Sequence, residues 1–574
     1  MDLTTGPLAG PLDDSGRLLH EDDAAAQLAL AVARLEVALD RDGHRPADLT
    51  GLRVLTTDRS AIADVLDVLV ERLEATGARP GIEIDEVDDL GIPGMLLALD
   101  PTLPLDDERS NHEGRTMSID TTTDPAATLR GLCDGRVHLP GDPGYDAART
   151  PWNLAVDQRP AAVALPRTVA EVQDVVRAAA AAGLRVAPQS TGHGAGPLGE
   201  MDLSDVVILR LSELTGVTVD PASRTARVVG GTQWVEVIIA SAPHGLTAPH
   251  GSAPDVAVAG YALNGGLSFY GRRHGLAANS IRAVELVTAD GSLVRVDATT
   301  DTDLFWAVRG GGANLGVAVA IELDLLPYAD VFAGMLLWDR ERAPEVVPAW
   351  VRWTREVPES VTTSMRVMSF PPMPELPPFL SGRDLVVIDG AVLEDDERAA
   401  ELLAPLRALS PEMDTFGRMP VTGLMDVHMD PPAPTPAVSD HSVLGELTDE
   451  AVDAFLAQVG PGTQTGLLFA ELRHLGGAFG RPDPEGGALS HLTGSYAMYC
   501  IAVAPFPEAV VAGTAAARGV VAAMSRWSQA SRVPTFTDTR EDTSSMFDGE
   551  SWARLAGLRD TFDPAGVFLA HHEI

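Results

Sequence analysis

A glycine-rich loop around one histidine is the part of this sequence best suited to chemistry. Residues 188–196 read Pro-Gln-Ser-Thr-Gly-His-Gly-Ala-Gly and follow a strand-like run over residues 183–188. Glycines let a backbone approach a ligand closely and present successive N–H groups to an anion. His193, at the centre, could bond to a ligand held there or pair with its charge. A tight turn with a solvated histidine would give the same pattern, so the loop alone leaves both interpretations open.

Two further glycine-rich stretches favour a cofactor. Residues 250–281 begin His-Gly-Ser-Ala-Pro-Asp-Val-Ala-Val-Ala-Gly, and residues 305–316 read Phe-Trp-Ala-Val-Arg-Gly-Gly-Gly-Ala-Asn-Leu-Gly. Backbone amides of such runs can bind a pyrophosphate without lysine, while alanine and valine pack on a flat apolar ring. No Gly-x-Gly-x-x-Gly run follows a strand and opens a helix, and a P-loop would need a lysine. The three stretches together indicate a large aromatic cofactor that carries phosphates.

The amino-acid composition excludes some classes of partner and of cofactor chemistry. The 574 residues carry a formal net charge of −40 and include no lysine. An acidic surface repels nucleic acids and anionic membranes, so neither is an expected partner. Without lysine the chain has no Schiff-base residue, which excludes ordinary lysine-anchored pyridoxal phosphate chemistry.

Further features of the sequence predict a cytoplasmic protein. It has no apolar run of roughly 18 residues, the length that a membrane span requires. Its first residues have neither the basic start nor the apolar stretch of an export signal. Cys133 and Cys500, the two cysteines, form neither a disulfide framework nor a metal-binding spacing. We therefore expect a reducing compartment, no membrane association and no metal site.

Hydrophobic periodicity predicts a small α+β unit at the front of the chain. The elements, in order, are helix, strand, helix, strand and strand, at residues 22–39, 52–57, 60–75, 81–87 and 95–99. Residues 106–126 are polar and aperiodic, which is typical of a linker.

A different pattern begins near residue 163. Thr168 and Glu171 form a capping box for a predicted helix over residues 168–182. Short apolar strands then alternate with glycine-rich loops, at residues 205–209, 217–220, 225–229, 284–288 and 293–296. A proline-rich loop at residues 370–378 lies inside the later half of the chain.

The order and spacing of three motifs resemble the FAD-binding domain of the berberine-bridge-enzyme-like oxidases, in the vanillyl-alcohol-oxidase superfamily. The motifs are Gln-Ser-Thr-Gly-His-Gly (189–194), Gly-Ser-Ala-Pro-Asp-Val-Ala-Val-Ala-Gly (251–260) and Asp-Leu-Phe-Trp-Ala-Val-Arg-Gly-Gly-Gly (303–312). The resemblance is strong over residues 141–326 and extends less tightly to the end of the chain. It implies a two-lobed α+β fold, in which a PCMH-type FAD-binding domain adjoins a substrate domain with a large antiparallel sheet.

The resemblance assigns a cofactor and its contacts. His193 matches the histidine that is linked covalently to the flavin 8α-methyl group. The second attachment point of the family is a cysteine, and Ala253 stands there, so FAD is expected to be bound covalently through His193 only. The residues expected to line FAD are Gln189, Ser190, Thr191, Gly192, His193, Gly194, Ala195, Pro197, Leu198, Gly251, Ser252, Val256, Gly260, Leu263, Gly265, Gly266, Asn279, Ile281 and Asp538. Covalent attachment implies a raised redox potential, and dioxygen is the implied oxidant, with hydrogen peroxide as its product.

The catalytic base is left open by two departures from the family pattern. The usual Tyr-x-Asn-(Tyr/Phe) element over the flavin is Phe-Thr-Asp-Thr at residues 536–539, and the usual Asp-Pro-x-Asn is Asp-Pro-Ala-Gly at residues 563–566. A base must lie within hydrogen-bond reach of the substrate proton. The candidate catalytic residues are Glu471, Tyr496, Tyr499 and Asp538.

Each candidate base also has a structural interpretation. In a strand over residues 470–475, Glu471 and Arg473 share one face, where they could form only a surface ion pair. Tyr496 and Tyr499 lie on opposite faces of their strand, so at most one faces the flavin and either could pack in a core. Asp538 could be a base or a hydrogen-bonded replacement for the usual asparagine.

The first hundred residues carry a second resemblance, to the RidA/YjgF family of reactive-intermediate deaminases. It rests on Pro-Leu-Asp-Asp-Ser-Gly-Arg-Leu-Leu (11–19), Leu-Thr-Thr-Asp-Arg (55–59) and Gly-Ile-Pro-Gly-Met-Leu-Leu-Ala-Leu (91–99), among others. It implies a chorismate-mutase-like α+β fold, common in trimers, with Arg79 matching the arginine that binds a substrate carboxylate. The family's first strands are missing before Gly6 and its late acidic residue is Ala98, so we expect a degenerate domain used for packing or homo-oligomerisation.

The sequence as a whole predicts five segments. They are a RidA-like domain (1–105), a linker (106–135), an FAD-binding domain (136–328), a substrate-binding domain (329–520) and a segment that returns to the FAD-binding domain (521–574). The predicted protein is an FAD-dependent oxidase of a small organic molecule, in bacterial secondary metabolism. The alternatives are an FAD-dependent dehydrogenase or cyclase that does not use dioxygen, and a flavin-free scaffold or binding protein built on the RidA-like domain.

Overall fold

The computed structural model describes two units of the chain, residues 1–120 and 121–574. In the second unit it describes residues 125–372 and 377–574. In the first it describes residues 27, 28, 31, 32, 35, 49, 51–57, 69, 70, 73, 81–86 and 97–102.

The front unit contains a three-stranded sheet. Its strands are β1 (Gly51–Thr56), β2 (Gly81–Glu86) and β3 (Leu97–Thr102). The order is β2-β1-β3, with β2 parallel and β3 antiparallel to β1. A parallel pair needs a crossover connection, and the helical residues 69, 70 and 73 lie between β1 and β2.

The helices predicted for the front unit supply part of its core. Leu28, Val32 and Leu35 are helical, follow the spacing of one helix face and are buried with Leu52 and Val54. The α+β character is as predicted, and β3 overlaps the strand expected at residues 95–99. Arg79, assigned to carboxylate binding by resemblance, and residues 1–26 lie outside the described residues, so the RidA-like assignment stays a prediction.

A four-stranded sheet carries the loop around His193. Its strands are β4 (Val137–His138), β5 (Ala162–Ala164), β6 (Arg185–Gln189) and β7 (Val206–Arg210). The order is β4-β5-β7-β6, and β7 is parallel to both β5 and β6. Helix Val169–Ala181 crosses between β5 and β6 and begins with the predicted capping box of Thr168 and Glu171. Strand β6 ends at Gln189, which places the glycine-rich loop at the carboxyl end of a parallel strand.

The predicted linker ends earlier than residue 135. Residues Pro125–Leu129 and Leu132–Gly135 form short 3₁₀ helices. Ala126, Leu129 and Cys133 are buried in the same core as helix Val169–Ala181. These residues therefore belong to the same lobe as that helix, because their apolar side chains complete its core.

A five-stranded antiparallel sheet completes this lobe. Its strands are β8 (Val217–Asp220), β9 (Thr225–Val229), β10 (Ile281–Val287), β11 (Leu293–Asp297) and β12 (Val317–Asp324), in the order β11-β10-β12-β9-β8. Helices Trp234–Ser241, Val258–Leu263 and Thr302–Gly311 contribute side chains to the core of this sheet. From the C-terminal segment, Leu555 joins this core and Phe568 bridges to Val186 of β6.

The second lobe is built on an eight-stranded antiparallel sheet. Its strands are β13 (Asp330–Asp339), β14 (Val361–Ser369), β15 (Asp384–Val392), β16 (Met413–Asp414), β17 (Gly417–Pro420), β18 (Ala437–Leu444), β19 (Phe469–His474) and β20 (Tyr496–Val503). The order is β16-β13-β15-β14-β19-β20-β18, and β17 pairs with β13.

The two faces of this sheet differ in polarity. One face packs an apolar core against helices Ala343–Thr354, Asp396–Arg407, Asp449–Val459 and Pro507–Ala523. The strand register aligns Arg366 of β14 with Glu471 of β19 and Tyr499 of β20 on the other face. Because side chains alternate along a strand, Asp389 and Arg473 share that polar face.

Four shorter or terminal helices complete the described part of the chain, Tyr145–Arg149, Gly196–Gly199, Gly271–His274 and Gly549–Phe562. Among the described residues, no helix combines the length and the apolar character needed to cross a membrane.

Candidate cofactor and substrate site

A cavity of about 310 Å³ lies between the loop after β6, the segment around helix Val258–Leu263, and strands β19 and β20. Thirteen of the residues predicted to act in binding or catalysis line it: Gln189, Ser190, Thr191, Gly192, His193, Gly194, Leu198, Gly251, Ser252, Val256, Gly260, Tyr499 and Asp538. The cavity therefore brings together the first two glycine-rich stretches and the polar face of the large sheet.

His193 is held in one orientation by its neighbours. Its ring stacks on Trp152, with ring centroids 4.2 Å apart and planes 19° from parallel. Its Nδ1 lies 2.8 Å from the Thr191 hydroxyl and its Nε2 lies 3.4 Å from Oδ1 of Asp255. The imidazole is about 20% exposed, so a histidine fixed on both sides still reaches the cavity.

Asp255 joins the ring of Trp152 to the imidazole. Its Oδ2 accepts a hydrogen bond of 2.6 Å from Nε1 of Trp152. Burial by itself raises the pKa of Asp255, but its interaction with the nearby His193 ring, with the hydrogen bond from Trp152, outweighs burial and holds the pKa below its ordinary value. The carboxylate is therefore ionised near neutral pH and suited to orienting His193.

Two glycines show where the wall is closed and where it is open. A Cβ on Gly196 would lie 2.0 Å from the backbone oxygen of Asp538, so the loop and the C-terminal segment touch there. A Cβ on Gly260, which is exposed on the cavity wall, would meet nothing within 4 Å. The backbone at Gly260 thus leaves space that a side chain would fill, as expected where a ligand lies against a helix.

Several buried polar atoms of the wall have no hydrogen-bond partner among the described residues. They are Oε1 of Gln189, Nε2 of His193, the hydroxyl of Tyr261 and Oγ1 of Thr535. Unpaired buried polar atoms are costly, and a polar ligand would supply their partners. A glycine-lined wall, an open surface at Gly260 and this set of atoms fit a cofactor with both a flat ring and hydrogen-bonding groups, such as FAD.

Glu471 and Arg473 lie together on the polar face of β19, as the strand pattern predicts. Nε of Arg473 donates a 2.8 Å hydrogen bond to Oε1 of Glu471. Arg473 lines the cavity, whereas Glu471 is 1% exposed and is not part of the wall. Burial lowers the pKa of Arg473, but the charge of Glu471 outweighs burial and raises it. Glu471 does not reach the cavity itself and instead holds the Arg473 side chain that does.

Tyr499 and Asp538 form the second polar group of the wall. The Tyr499 hydroxyl donates a 3.0 Å hydrogen bond to Oδ2 of Asp538, which also accepts a short one from the Ser439 hydroxyl. Phe536 stacks on Tyr499 with centroids 4.7 Å apart. Burial raises the pKa of Asp538 in spite of these hydrogen bonds, and burial with the Asp538 charge raises the pKa of Tyr499 well above 10.

Tyr496 lies on the opposite face of β20, in the apolar core. Its hydroxyl is 2.6 Å from Oγ1 of Thr354, and its ring stacks on His474. It is 3% exposed and does not line the cavity. The structure thus separates the two tyrosines that the sequence could only place on opposite faces, and it leaves Tyr496 no access to the site.

Seven residues predicted to line FAD are not on the cavity wall: Ala195, Pro197, Leu263, Gly265, Gly266, Asn279 and Ile281. Leu263 and Ile281 are buried in the core of the five-stranded sheet. Gly265 and Gly266 have positive φ angles, +96° and +78°, and form the turn after helix Val258–Leu263. Nδ2 of Asn279 donates to the backbone oxygen of Ser490. These residues lie outside the wall, in the segments that support it.

Three further wall residues were not among the predicted site residues. Trp152 lies in a loop without a motif, and His571 is the fourth residue from the end of the sequence. Tyr261 lies inside the second glycine-rich stretch, directly after Gly260, so that stretch was the one available signal. All three reach the cavity from segments far apart in sequence.

Comparison with known proteins identifies part of the chain. Residues 160–297 match the FAD binding domain family. The chain is 35% identical over 206 residues to the (R)-6-hydroxynicotine oxidase of Paenarthrobacter nicotinovorans, a match covering 36% of this chain and 44% of that protein. It is 36% identical over 172 residues to a xylooligosaccharide oxidase of Thermothelomyces thermophilus, covering 30% of this chain and 35% of that protein. The chain therefore matches less than two thirds of the length of either relative.

The fold of the second unit is shared with a solved structure. BBE-like 1 of Physcomitrella patens superimposes with a TM-score of 0.68 at 21% sequence identity, over 78% of this chain and 98% of that chain. This likeness supports an α+β fold with mixed and antiparallel sheets, of which the sequence predicted the α+β class and the large antiparallel sheet. Residues 160–297 therefore make up an FAD-binding domain, and FAD is the cofactor of this chain.

Proposed function

We propose that this protein is an FAD-dependent oxidase that takes a hydride from a small organic substrate. One observation carries the proposal: the loop with His193 opens into a cavity that the FAD-binding domain shares with the polar face of the large sheet. The named relatives are both oxidases, which supports an oxidoreductase.

The cofactor would be held mainly by backbone and by one covalent bond. The loop at residues 189–194, the segment at residues 251–253, Val256 and Gly260 form its wall. Ala253 lines the cavity and has no thiol, so we propose a single link, through His193. Trp152 and Asp255 hold the imidazole in place for it. Bound FAD would supply the acceptor for the hydride and, with dioxygen as final oxidant, release hydrogen peroxide.

Asp538 is the best-supported acceptor for the substrate proton. Burial raises its pKa, which suits a carboxylate that must take up a proton near neutral pH. Tyr499 stays protonated because its pKa is raised well above 10, and its hydroxyl donates to Asp538 and fixes the carboxylate. Tyr499 is thus the positioning residue and Asp538 the base.

The absorbance of the purified protein tests this function. We expect flavin bands whose colour remains with the protein after acid precipitation. His193→Ala should lose the acid-stable colour and still bind FAD, because the rest of the wall is unchanged. His244→Ala, an exposed histidine of the same lobe, is the matched control and should keep the link. Colourless protein that takes up no FAD would contradict the proposal and favour a flavin-free scaffold.

Oxygen use distinguishes an oxidase from a dehydrogenase or cyclase. The FAD-loaded protein is reduced anaerobically and then mixed with air-saturated buffer. Rapid return of the oxidised spectrum with equimolar hydrogen peroxide is expected for an oxidase. Slow return, with fast reoxidation by an artificial electron acceptor, would favour the dehydrogenase.

We further propose that the front unit is a RidA-like module for packing or oligomerisation, and that the protein acts in the cytoplasm in bacterial secondary metabolism. The α+β elements of the front unit support the first point. Cys133 and Cys500 are buried and free, which suits a reducing compartment. The mass of the full-length protein in sedimentation tests oligomerisation, and a monomer at micromolar concentration would contradict it.

A further inference from the structure

One guanidinium faces the cavity with most of its donors unused. Arg473 is the single arginine of the cavity wall in the described part of the chain. Its Nε is engaged by Glu471, while neither of its two Nη atoms donates to any residue that the structure describes. An arginine carries five N–H donors in a planar fork that matches a carboxylate. Four of them remain available at Arg473.

The position of this guanidinium is fixed by its surroundings. Its Nε donates a 2.8 Å hydrogen bond to Oε1 of Glu471, and the ring centroid of Phe536 lies 5.2 Å from the guanidinium carbon. The Arg473 side chain is only 13% exposed. Because little side-chain freedom remains to be lost when a ligand binds, the unused edge of the guanidinium is prepared for a partner.

The other charged side chains on this face of the sheet already have partners of opposite charge. Glu471 faces Arg366 across the strands, and Arg366 is bound to Asp389 by an ion pair of 2.6 Å. Ser364 and His428 also hydrogen-bond to Asp389. Neither Arg366 nor Asp389 lines the cavity, so this layer supports Arg473 from inside the protein.

Apart from Arg473, Tyr499, Asp538 and Asp430, the wall is largely apolar on the side of the large sheet. Leu468, Phe469, Ile501, Val503 and Phe536 line it. An oligosaccharide would bring many hydroxyl groups against these side chains, where they would lose hydrogen bonds to water without replacement. The wall suits an apolar ring or chain that carries one acidic group.

We propose that the substrate is a mainly apolar organic acid whose carboxylate binds the two Nη atoms of Arg473. This inference rests on the proposed oxidase function, because it places the substrate in the same cavity as FAD. Hydrogen bonds between charged partners are the stronger class, and an end-on pair of them would also fix which carbon of the substrate meets the cofactor. Asp538 then lies in the same wall as the acceptor for the proton that the substrate loses.

A pair of near-identical probes tests the proposal on the FAD-loaded protein. Benzoate and benzamide have the same shape and differ in charge, and each is titrated while the flavin absorbance is followed. Removing one charge-assisted interaction weakens binding by roughly tenfold to hundredfold. We therefore expect benzoate to bind at least tenfold more tightly than benzamide.

Variants assign the preference to Arg473. Arg473→Gln leaves Glu471 buried without its partner, so the double variant Glu471→Gln/Arg473→Gln, which removes both charges, is measured beside it. The double variant should bind benzoate and benzamide equally, Arg473→Gln should no longer prefer benzoate, and Arg473→Lys should keep part of the preference. Arg340→Gln removes a buried arginine, ion-paired with Asp384 beside β13, and is the matched control that should keep all of it.

Several outcomes would overturn the inference. They are equal affinity for the two probes in the wild type, no binding of benzoate at millimolar concentration, and a benzoate preference that survives in the double variant. Loss of FAD in the double variant with an unchanged probe ratio would show that Arg473 holds the cofactor instead. If the wild type carries no flavin, the proposed function fails. The same titration by calorimetry on that protein then tests Arg473 alone, and equal affinities overturn the inference there too.

Discussion

Replacing Gly196 by alanine should disturb the site through a single backbone contact. Gly196 begins the short helix Gly196–Gly199 directly after the His193 loop. An added Cβ would lie 2.0 Å from the carbonyl oxygen of Asp538 and 2.8 Å from its carbonyl carbon. Both atoms belong to backbone, so no side chain can rotate away. The segment that carries Asp538 must move.

The size of the movement follows from the contact. To reach 3.0 Å, below which Cβ atoms are essentially never found, the two segments must separate by about 1 Å. Overpacking of this kind costs about 1–3 kcal/mol in the free energy of unfolding. A shift of that size would also stretch the 3.0 Å hydrogen bond from Tyr499 to Asp538 beyond normal length. A misplacement of about 1 Å can lower a catalytic rate about a hundredfold.

Two other glycines provide the controls. Gly557 lies inside helix Gly549–Phe562 and Gly260 lies on the cavity wall, and a Cβ on either meets nothing within 4 Å. Gly557→Ala should stabilise the fold by about 0.5–1 kcal/mol, since alanine favours a helix. Gly260 lies inside helix Val258–Leu263, so Gly260→Ala should stabilise the FAD-free protein by a similar amount, but it should reduce FAD binding, because its methyl group enters the cavity.

Urea unfolding and acid-stable flavin content measure these effects. Gly196→Ala should lower both the midpoint of unfolding and the flavin content, and the Tyr499–Asp538 distance in a crystal structure should lengthen. If Gly196→Ala is as stable as Gly557→Ala and binds FAD fully, the C-terminal segment does not touch the loop as described. The reasoning about the base would then fail as well.

Two further predictions concern the large sheet. Asp389→Asn should cost about 3–5 kcal/mol in urea unfolding, because it leaves Arg366 buried without its partner. The pKa of Asp389 is held below its ordinary value by His428 and Arg366 against the effect of burial, so the wild-type carboxylate contributes stability above about pH 4. That contribution is lost as the pH falls further, and an unfolding midpoint that is flat below pH 4 would contradict it. Tyr496→Phe should lower the free energy of unfolding by about 1 kcal/mol, because it removes the hydrogen bond to Thr354, and it should leave the flavin spectrum unchanged. Tyr499→Phe should shift that spectrum. Equal spectral effects of the two variants would count against the placement of the two tyrosines.

Local signals in the sequence predict much of the FAD-binding lobe. Thr168 and Glu171 are three residues apart and form a capping box, a pattern decided within one helical turn. The strands predicted at residues 217–220 and 225–229 occur with those bounds. The loop after β6 combines glycines with a short strand, so its place at the end of that strand is also a local property. Such features need no knowledge of distant residues.

The arrangement of the substrate side depends on contacts that the sequence does not encode locally. Asp538 meets Ser439 from 99 residues away and Tyr499 from 39 residues away. The strand period places Tyr496 and Tyr499 on opposite faces, but it does not say which face the helices cover. That choice follows from the apolar residues of four separate helices, which bury the face of Tyr496. Asp538 could therefore be proposed as the base only once the packing was known.

Different segments of the chain form the two sides of this cavity, so the cofactor and the substrate can be recognised independently. The loop at residues 189–194 includes Gly192 and Gly194, which bring backbone to the wall, and backbone contacts tolerate changes in distant side chains. Arg473, Tyr499 and Asp538 present side chains from β19, β20 and the C-terminal segment. Substitutions at these three positions can alter charge and hydrogen bonding toward a substrate while the wall of the loop stays unchanged. The contact between Gly196 and Asp538 is the exception, since it joins the loop to the proposed base through backbone.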